Sequence, residues 1–521
     1  MTIATAASRV TGFIRVVVVA AAMGTTFLAN TYQTANTAPN VVFELLAAGV
    51  LTSIFVPTFV EYLVKGDDDE GWRVANILGS VALAALTALA LLLAVAAPLV
   101  MRLLTLGVQD GELRAREVAL GSTWLRLFAP QVVFYGASMI MTGALHAHRR
   151  FGLAAAAPIF NNVVVIGVYL AYALMRGDRP PRLSGITPAE TFVLGAGTTA
   201  GVVAMTAALI PQLRGLGWRF RWRFLPRHDS VKRAARLGVW ALGYAGGYQA
   251  GLVVVLVLAN RIEGGVAAYQ WAYTFFFVPH ALFAVPVFNV LFPAMSEHVA
   301  RRQLSAFSGR LRDGLGMLSF ILVPVAIFMV IAAEPIARVT LQYGVMSGAG
   351  TALVGRVLAA FAIGLPMYSA FLALTRAAYA LGDTRSPALV NAAAVIASSA
   401  AGVVLFLALP AGWAVAGLAL GHTIGFSLGA VVLARVLARK VGSTRPVAHT
   451  ATIARSLAVA VAATAAMLAV HAALPITTKL QSLSNLTGTG VAGAVVYLAL
   501  MSKASSPEMT RLTALLSRAR A

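Results

Sequence analysis

Stretches of about 20 apolar residues follow one another from one end of this chain to the other, each long enough to cross the hydrocarbon core of a bilayer as a helix. Lipid offers no partner to a bare backbone N–H or C=O, so a chain of such stretches must fold as a bundle of helices that satisfy their own hydrogen bonds. Composition agrees: of 521 residues 59% are hydrophobic and 11% charged, against roughly 25% charged in a soluble domain. The class is all-α and polytopic. No small-residue cleavage site follows the first apolar run, so Met1 is expected to open the mature first span.

Several functions are disfavoured by what the chain lacks. With no cysteine it has neither disulfides nor thiolate metal sites, and its eight histidines are scattered, His146 and His148 being the only close pair. Neither a phosphate-binding glycine loop nor a nucleophile elbow occurs, so no covalent chemistry and no metal is expected. The net charge of +22 comes from short basic connections between apolar runs, which points to membrane orientation rather than to nucleic acid.

Breaks between apolar runs place about fourteen spans, the first near 3–23 and the last two near 456–474 and 485–502. With a cytoplasmic N-terminus, 26 of the 40 Lys and Arg fall in inside connections and the C-terminal tail, 9 in outside connections, and Arg9, Arg15, Arg126, Arg356 and Arg376 within spans. That bias puts both termini inside. The densest inside loop, "RGLGWRFRWRFLPRHDSVKR", also suits anionic headgroups.

The chain repeats itself. Phe128 and Tyr135 pair with Phe361 and Tyr368, Pro158 and Asn162 with Pro387 and Asn391, and "FVPTFVE" with "LFPAMSE", at offsets between 229 and 236. An even number of spans per repeat gives two lobes of like orientation, related by an axis along the membrane normal, with the substrate path expected between them. The expected organisation is a six-helix lobe at 1–213, a basic linker at 214–236, a second six-helix lobe at 237–437, two additional helices at 438–502 and a tail at 503–521.

Polar residues inside the spans are the candidates for function. Within "NTYQTANTAPNVVFELLAAG", Asn30, Gln33, Thr34, Thr37, Asn40 and Glu44 fall in an arc of roughly 120° of one helix, a face that hydrocarbon would not tolerate. It must meet other helices or a watery cavity, and Glu44 needs a cation or a proton. Arg9 and Arg15 on the preceding helix stand about 9 Å apart along the axis and can reach a cavity from different depths. Guanidinium groups there suit a phosphate or pyrophosphate, although snorkelling to headgroups is the plainer reading of Arg9. Gln249 is equally well a satisfied interhelical hydrogen bond or part of a cavity lining.

The segments "SRVTGFIR", "PNVVFELLAAGVLTSIFVPTFVEY", "FPAMSEH", "LQYGVM" and "AAYALGDTRSP", in this order and spacing, resemble the MurJ/MviN family of lipid II flippases, within the multidrug/oligosaccharidyl-lipid/polysaccharide exporter superfamily. "FELLAAGVLTS" looks like the actinobacterial branch. The resemblance implies a bacterial plasma-membrane transporter that moves undecaprenyl-pyrophosphate-linked muropeptide from the inner to the outer leaflet by alternating access, serving peptidoglycan synthesis and cell shape. It implies coupling to membrane potential or an ion, no organic cofactor, and partners limited to the polyprenyl substrate, membrane lipids and cell-wall synthesis proteins. Arg9 and Arg15 match the arginines that line the family's cationic cavity. Departures from the family pattern are Val16, Asn30, Glu44 and Thr274, the last standing where an arginine is usual. The two extra helices are expected to carry a groove for the lipid tail. Alternatives are an exporter of another polyprenol-linked glycan, a drug exporter, against which the arginines argue, and a scaffold for cell-wall enzymes.

Overall fold

The computed structural model describes residues 2–64, 68–218, 220–442 and 450–503, with side chains outside 2–3, 46–69, 230, 233–245 and 450–453. Every regular element among these residues is helical. The first repeat runs α1 (Thr2–Met23), α2 (Phe27–Val64), α3 (Asp68–Val95), α4 (Ala97–Leu104), α5 (Gly111–Phe128), α6 (Gln131–Ala147), α7 (Phe151–Arg176) and α8 (Pro188–Arg214). The second runs α9 (Asp229–Ala259), α10 (Gly265–Pro279), a π-helical turn at His280–Ala284, α11 (Val285–Ala300), α12 (Leu304–Ile331), α13 (Ala333–Leu341), α14 (Gly348–Ile363), α15 (Leu365–Ala380), α16 (Arg385–Ala408) and α17 (Ala411–Lys440). Then follow α18 (Thr450–Ala473) and α19 (Lys479–Lys503).

Eleven helices or continuous helix pairs among the described residues are long and apolar enough to cross a bilayer, and the bent pair α14–α15 makes twelve. Helices α2 and α9, of 38 and 31 residues, complete fourteen.

The repeat seen in a few matched residues extends to the breaks. In each half a long helix stops at an alanine and resumes as a short one, at Ala96 and at Ala332. In each half the next span is also broken, at Ala129–Pro130 and at Gly364, the latter with a bend of 48°. A proline opens the continuing helix in both, Pro130 at the cap of α6 and Pro366 in the first turn of α15, where its missing N–H costs nothing.

By contacts the chain forms two compact units, Met1–Ala267 with Tyr343–Ser347, and Ala268–Gln342 with Gly348–Ala521. Repeat and unit boundaries therefore differ: α9 opens the second repeat yet packs on α2, α3 and α4 within the first unit. Two glycines at matched positions, Gly107 and Gly344, show why. The loop after α4 lies so close to the C-terminal turns of α9 that a Cβ on Gly107 would overlap the Val257 carbonyl. The loop after α13 lies equally close to α1, where the Val345 N–H donates to the Ala21 carbonyl at 3.0 Å and Gly344, at φ 55°, leaves no room for a side chain. Each repeat's loop thus holds the other repeat's first helix.

The first unit is centred on Tyr32, fully buried, with Trp124, Phe128 and Tyr169 set edge-on at 5.4, 5.6 and 5.9 Å. The second is centred on an aromatic cluster of Phe276, Phe361, Tyr368 and Phe426 around His422. Phe128 and Phe361, paired by the sequence repeat, occupy both centres. Within the second unit α18 and α19 pack on α12 through Phe320, Val323, Ala463, Met467 and Tyr497, whose hydroxyl donates to the Phe320 carbonyl at 3.0 Å.

Candidate functional site

Helix α1 carries Arg9 exposed and Arg15 half-buried, and neither forms an ion pair among the described residues. Arg15 is not isolated: its positive charge acts on the phenols of Tyr32, Tyr135 and Tyr169. The Tyr32 hydroxyl lies 2.6 Å from Thr198 Oγ1 and 3.2 Å from the Tyr169 hydroxyl. The guanidinium therefore sits beside neutral dipoles, with no ion-paired carboxylate among the described residues. Helix α1 is fixed against α7 by Asn162, whose amide donates to the Ser8 carbonyl and to Thr11 Oγ1 at 3.2 and 3.1 Å.

The polar arc of α2 divides in two. Its N-terminal part is structural: Asn30, fully buried, donates to the Ile262 carbonyl at 2.8 Å and accepts from the Val266 and Ala267 N–H groups at 3.0 and 3.4 Å. It thereby satisfies the open first turn of α10. Thr34 and Asn260 hydrogen-bond each other, and Asn260 donates to the Leu104 carbonyl at 3.1 Å. The remainder stays partly accessible. Gln33, Thr37 and Asn40 are half-buried, Thr37 and Asn40 donating back to the Gln33 and Asn36 carbonyls, and Glu44 is exposed. No ion pair joins Glu44 to Arg9 or Arg15.

The other candidates lie on other helices. Gln249 on α9 is buried with its amide oxygen unpartnered, and the Thr274 hydroxyl donates to its own helix at the Gln270 carbonyl. Arg356 donates to the Ala352 and Gly412 carbonyls and lies over Trp413, while Arg376 reaches Asn289 at 3.4 Å and lies over Phe288. The loop after α8 folds back on α3 and α6: Trp218 donates to Asn76 at 3.1 Å and stacks with Trp72, itself stacked on His148. No group of metal-binding side chains occurs among the described residues.

Sequence reasoning missed Glu117. The charged stretch "DGELRAREV" reads as an outside connection, with the span starting near 120. Asp110 instead caps a helix that begins at Gly111, its carboxylate accepting from the Glu112 and Leu113 N–H groups, and Glu117 enters the packed interior. The signal was available in the Asp-Gly-Glu start, a helix N-terminus rather than a loop.

A family model described as lipid II flippase MurJ matches residues 19–485. The chain belongs to the MurJ lipid II flippase family. A probable lipid II flippase MurJ of Rhizobium tropici is 29% identical over 438 residues, 84% of this chain and 79% of the relative. The lipid II flippase MurJ of Burkholderia cenocepacia is 25% identical, covering 73% and 72%. Among solved structures, a MurJ in an inward closed conformation superposes with a TM-score of 0.78 at 18% identity over 96% of this chain and 97% of that one. An inward-facing MATE-family transporter of the MOP superfamily gives 0.66 at 13% identity over 82% and 94%. The MurJ-family fold therefore spans essentially the whole chain, although Arg9 and Arg15 precede the residues matched by the family model.

Chemically, the group on α1 and α2 offers charge-assisted hydrogen bonds from Arg9 and Arg15 to an anion, with phenols and amides beside them to bind neutral oxygen or nitrogen atoms. Such a site can hold and release an anionic headgroup, in keeping with a family of flippases.

Proposed function

We propose that the chain moves lipid II from the inner to the outer leaflet of the bacterial cytoplasmic membrane, both termini lying inside, by alternating access of its two repeats. The observation that carries this reading is Arg15: a half-buried cation inside a span, without a carboxylate partner among the described residues, in a chain of this family. A charge there costs at least about 2.5–3.5 kcal/mol on insertion scales and is retained where an anion visits. Arg9 and Arg15 would hold the pyrophosphate, and Gln33, Thr37 and Asn40 the sugar or peptide. Glu44 would act as a counter-charge that yields to the substrate. Gln249 and Thr274 would line the path further along.

The lipid tail follows a different course. Each methylene drawn into a wet path would lose roughly 0.8 kcal/mol, so the polyprenyl chain stays in lipid or on an apolar surface. Leu457, Val461 and Leu468 on α18 form such a surface, being 51, 71 and 50% exposed.

The deciding experiment is depletion of a host's own flippase with this gene supplied in trans. Lipid II should reach the outer leaflet and growth should resume. Cytoplasmic-side accumulation of lipid II despite normal amounts of the protein in the membrane would refute the reading.

A further inference from the structure

Glu117 is the one carboxylate on α5 that points inward, and the packing leaves it in an unusual state. The residue is fully buried, and neither carboxyl oxygen has a hydrogen-bond partner. The Thr31 hydroxyl faces it from α2, yet gives its proton to the Phe27 carbonyl at 2.8 Å. One turn on, Gly121 brings α5 down onto Met101 and Thr31, closing the space around the carboxyl. A lone buried carboxylate is far more costly than a buried carboxylic acid, so this packing holds the acid form.

The helices packed on α5 are α2, α3, α4 and α8, and among the described residues none of them brings a cation to Glu117. On α2, Tyr32 is turned to Thr198 and Tyr169, and Glu44 lies more than three turns beyond Thr31. Arg102 of α4 is exposed. On α3, Glu70 and Arg73 pair with each other, and on α8 Glu190 is held by Arg179 and the Thr187 N–H, while Arg214 ends the helix. On α5 itself Glu112 and Arg116 pair at the surface, Arg114 turns to the Arg102 carbonyl and Arg126 is exposed.

Thr31 is flanked by the residues that tie the outer end of the first unit together. Asn30 fastens α2 to the start of α10, and Thr34, one turn further, fastens it through Asn260 to α9 and to the end of α4. The strap Tyr343–Ser347 lies on the end of α1 in the same unit. Charging Glu117 would drive water or a cation to it, and admitting either loosens the packing of α5 on α2 and α4 at this junction.

We propose that Glu117 is a proton-binding site, loaded when the outer end of the first unit is fastened and emptied when it opens. Its ligand is a proton from the outside water. The consequence for transport rests on the flippase reading; the coupling of proton to opening does not.

The test uses the cysteine-free chain in membranes. Met346, 4% exposed within the strap, becomes the only thiol as Met346→Cys, with Val108→Cys as a second reporter at a buried position in the loop after α4. The rate of reaction with an impermeant thiol reagent added outside, divided at each pH by that of a free thiol so that the thiol's own ionisation cancels, should rise with pH, by about tenfold per unit for a one-proton linkage until Glu117 is fully ionised. Glu117→Gln should hold this ratio at its low-pH value at every pH, and Glu117→Asp should keep the dependence with a displaced midpoint. The same pH profile with and without Glu117→Gln would overturn the proposal, as would a rate that follows external sodium at fixed pH. Lipid II movement measured in the same membranes separates the two ideas. Expected labelling with no lipid II movement sinks the flippase reading alone; lipid II movement with pH-independent labelling sinks the proton site alone.

Discussion

Replacing Asn30 by alanine removes one side chain that serves three backbone groups, two of them in buried residues. The Ile262 carbonyl loses its donor, and the Val266 and Ala267 N–H groups, 1 and 0% exposed as residues, lose their acceptor. These N–H groups belong to the first turn of α10, where the helix cannot satisfy them itself. Leaving a buried group unsatisfied costs about 1–3 kcal/mol, and partial relaxation of the α9–α10 connection lowers the sum, so Asn30→Ala should weaken this junction by about 2–4 kcal/mol. At 1.4 kcal/mol per tenfold, that is roughly 30- to 700-fold more frequent local opening. Hydrogen–deuterium exchange of the peptide covering residues 262–270 reads it directly. Asn30→Asp should fall between, since a carboxylate still accepts from both N–H groups but repels the Ile262 carbonyl. Exchange within threefold of the parent protein in the alanine variant would mean that the Asn30 cap does not hold the start of α10.

Arg15→Ala should abolish lipid II transport with normal membrane insertion, and Arg15→Lys should restore only part of it, because an ammonium cannot fork across two phosphate oxygens; full activity of the alanine variant in a reconstituted assay would refute the clamp. Asp383, between α15 and α16, is partly desolvated, which alone would raise its pKa, but Lys440 at 2.5 Å and the Ser386 N–H and hydroxyl more than offset this and hold its carboxyl below the usual carboxylate range. The sign follows: the pair's stabilisation is fully present above the ordinary aspartate value of 3.8 and is lost as pH falls through the lowered one, so the protection factor against hydrogen exchange at the start of α16 should be flat from pH 8 to 5, and Lys440→Met should lower it across that whole range. Photo-crosslinkers at Leu457, Val461 and Leu468 should capture a polyprenyl chain, and bulky polar residues there should slow transport of the full-length lipid more than binding of a short-tailed analogue; equal effects on both would remove α18 from the tail's path.

Fold class and the repeat were legible because they rest on features a linear sequence carries: apolar runs of fixed length, arginine placed by loop, and matched prolines and aromatics such as Phe128 and Phe361. The polar arc of α2 was legible as an arc but not as two functions. Period alone cannot tell that Asn30 and Thr34 meet Ile262, Val266 and Asn260, more than 220 residues away, while Gln33 and Thr37 stay partly accessible. That Glu44 needs a cation or a proton is legible, but not which: no ion pair joins it to Arg9 or Arg15, Glu44 is exposed, Arg15 faces phenols, and the two sit on different helices whose relative rotation no periodicity reports. Glu117 was hidden for a related reason. Charges at Glu112, Arg114 and Arg116 made its neighbourhood look solvated, and only tertiary packing shows which of four charged side chains turns inward.

The mutual hold between the loop of each repeat and the first helix of the other also bears on how the chain is made. Ala21 enters the membrane with α1, whereas its partner Val345 emerges roughly 320 residues later. At 5–20 residues per second the end of α1 waits on the order of 16–64 s for its strap. The α1–α7 contact at Asn162 comes sooner, so α1 docks near its N-terminal end first and remains unfastened at its C-terminal end for much of synthesis. A ribosome stall or truncation anywhere before Tyr343 leaves that end open, which makes the segment Tyr343–Ser347 the point at which the nascent protein passes from a set of inserted helices to a closed first unit.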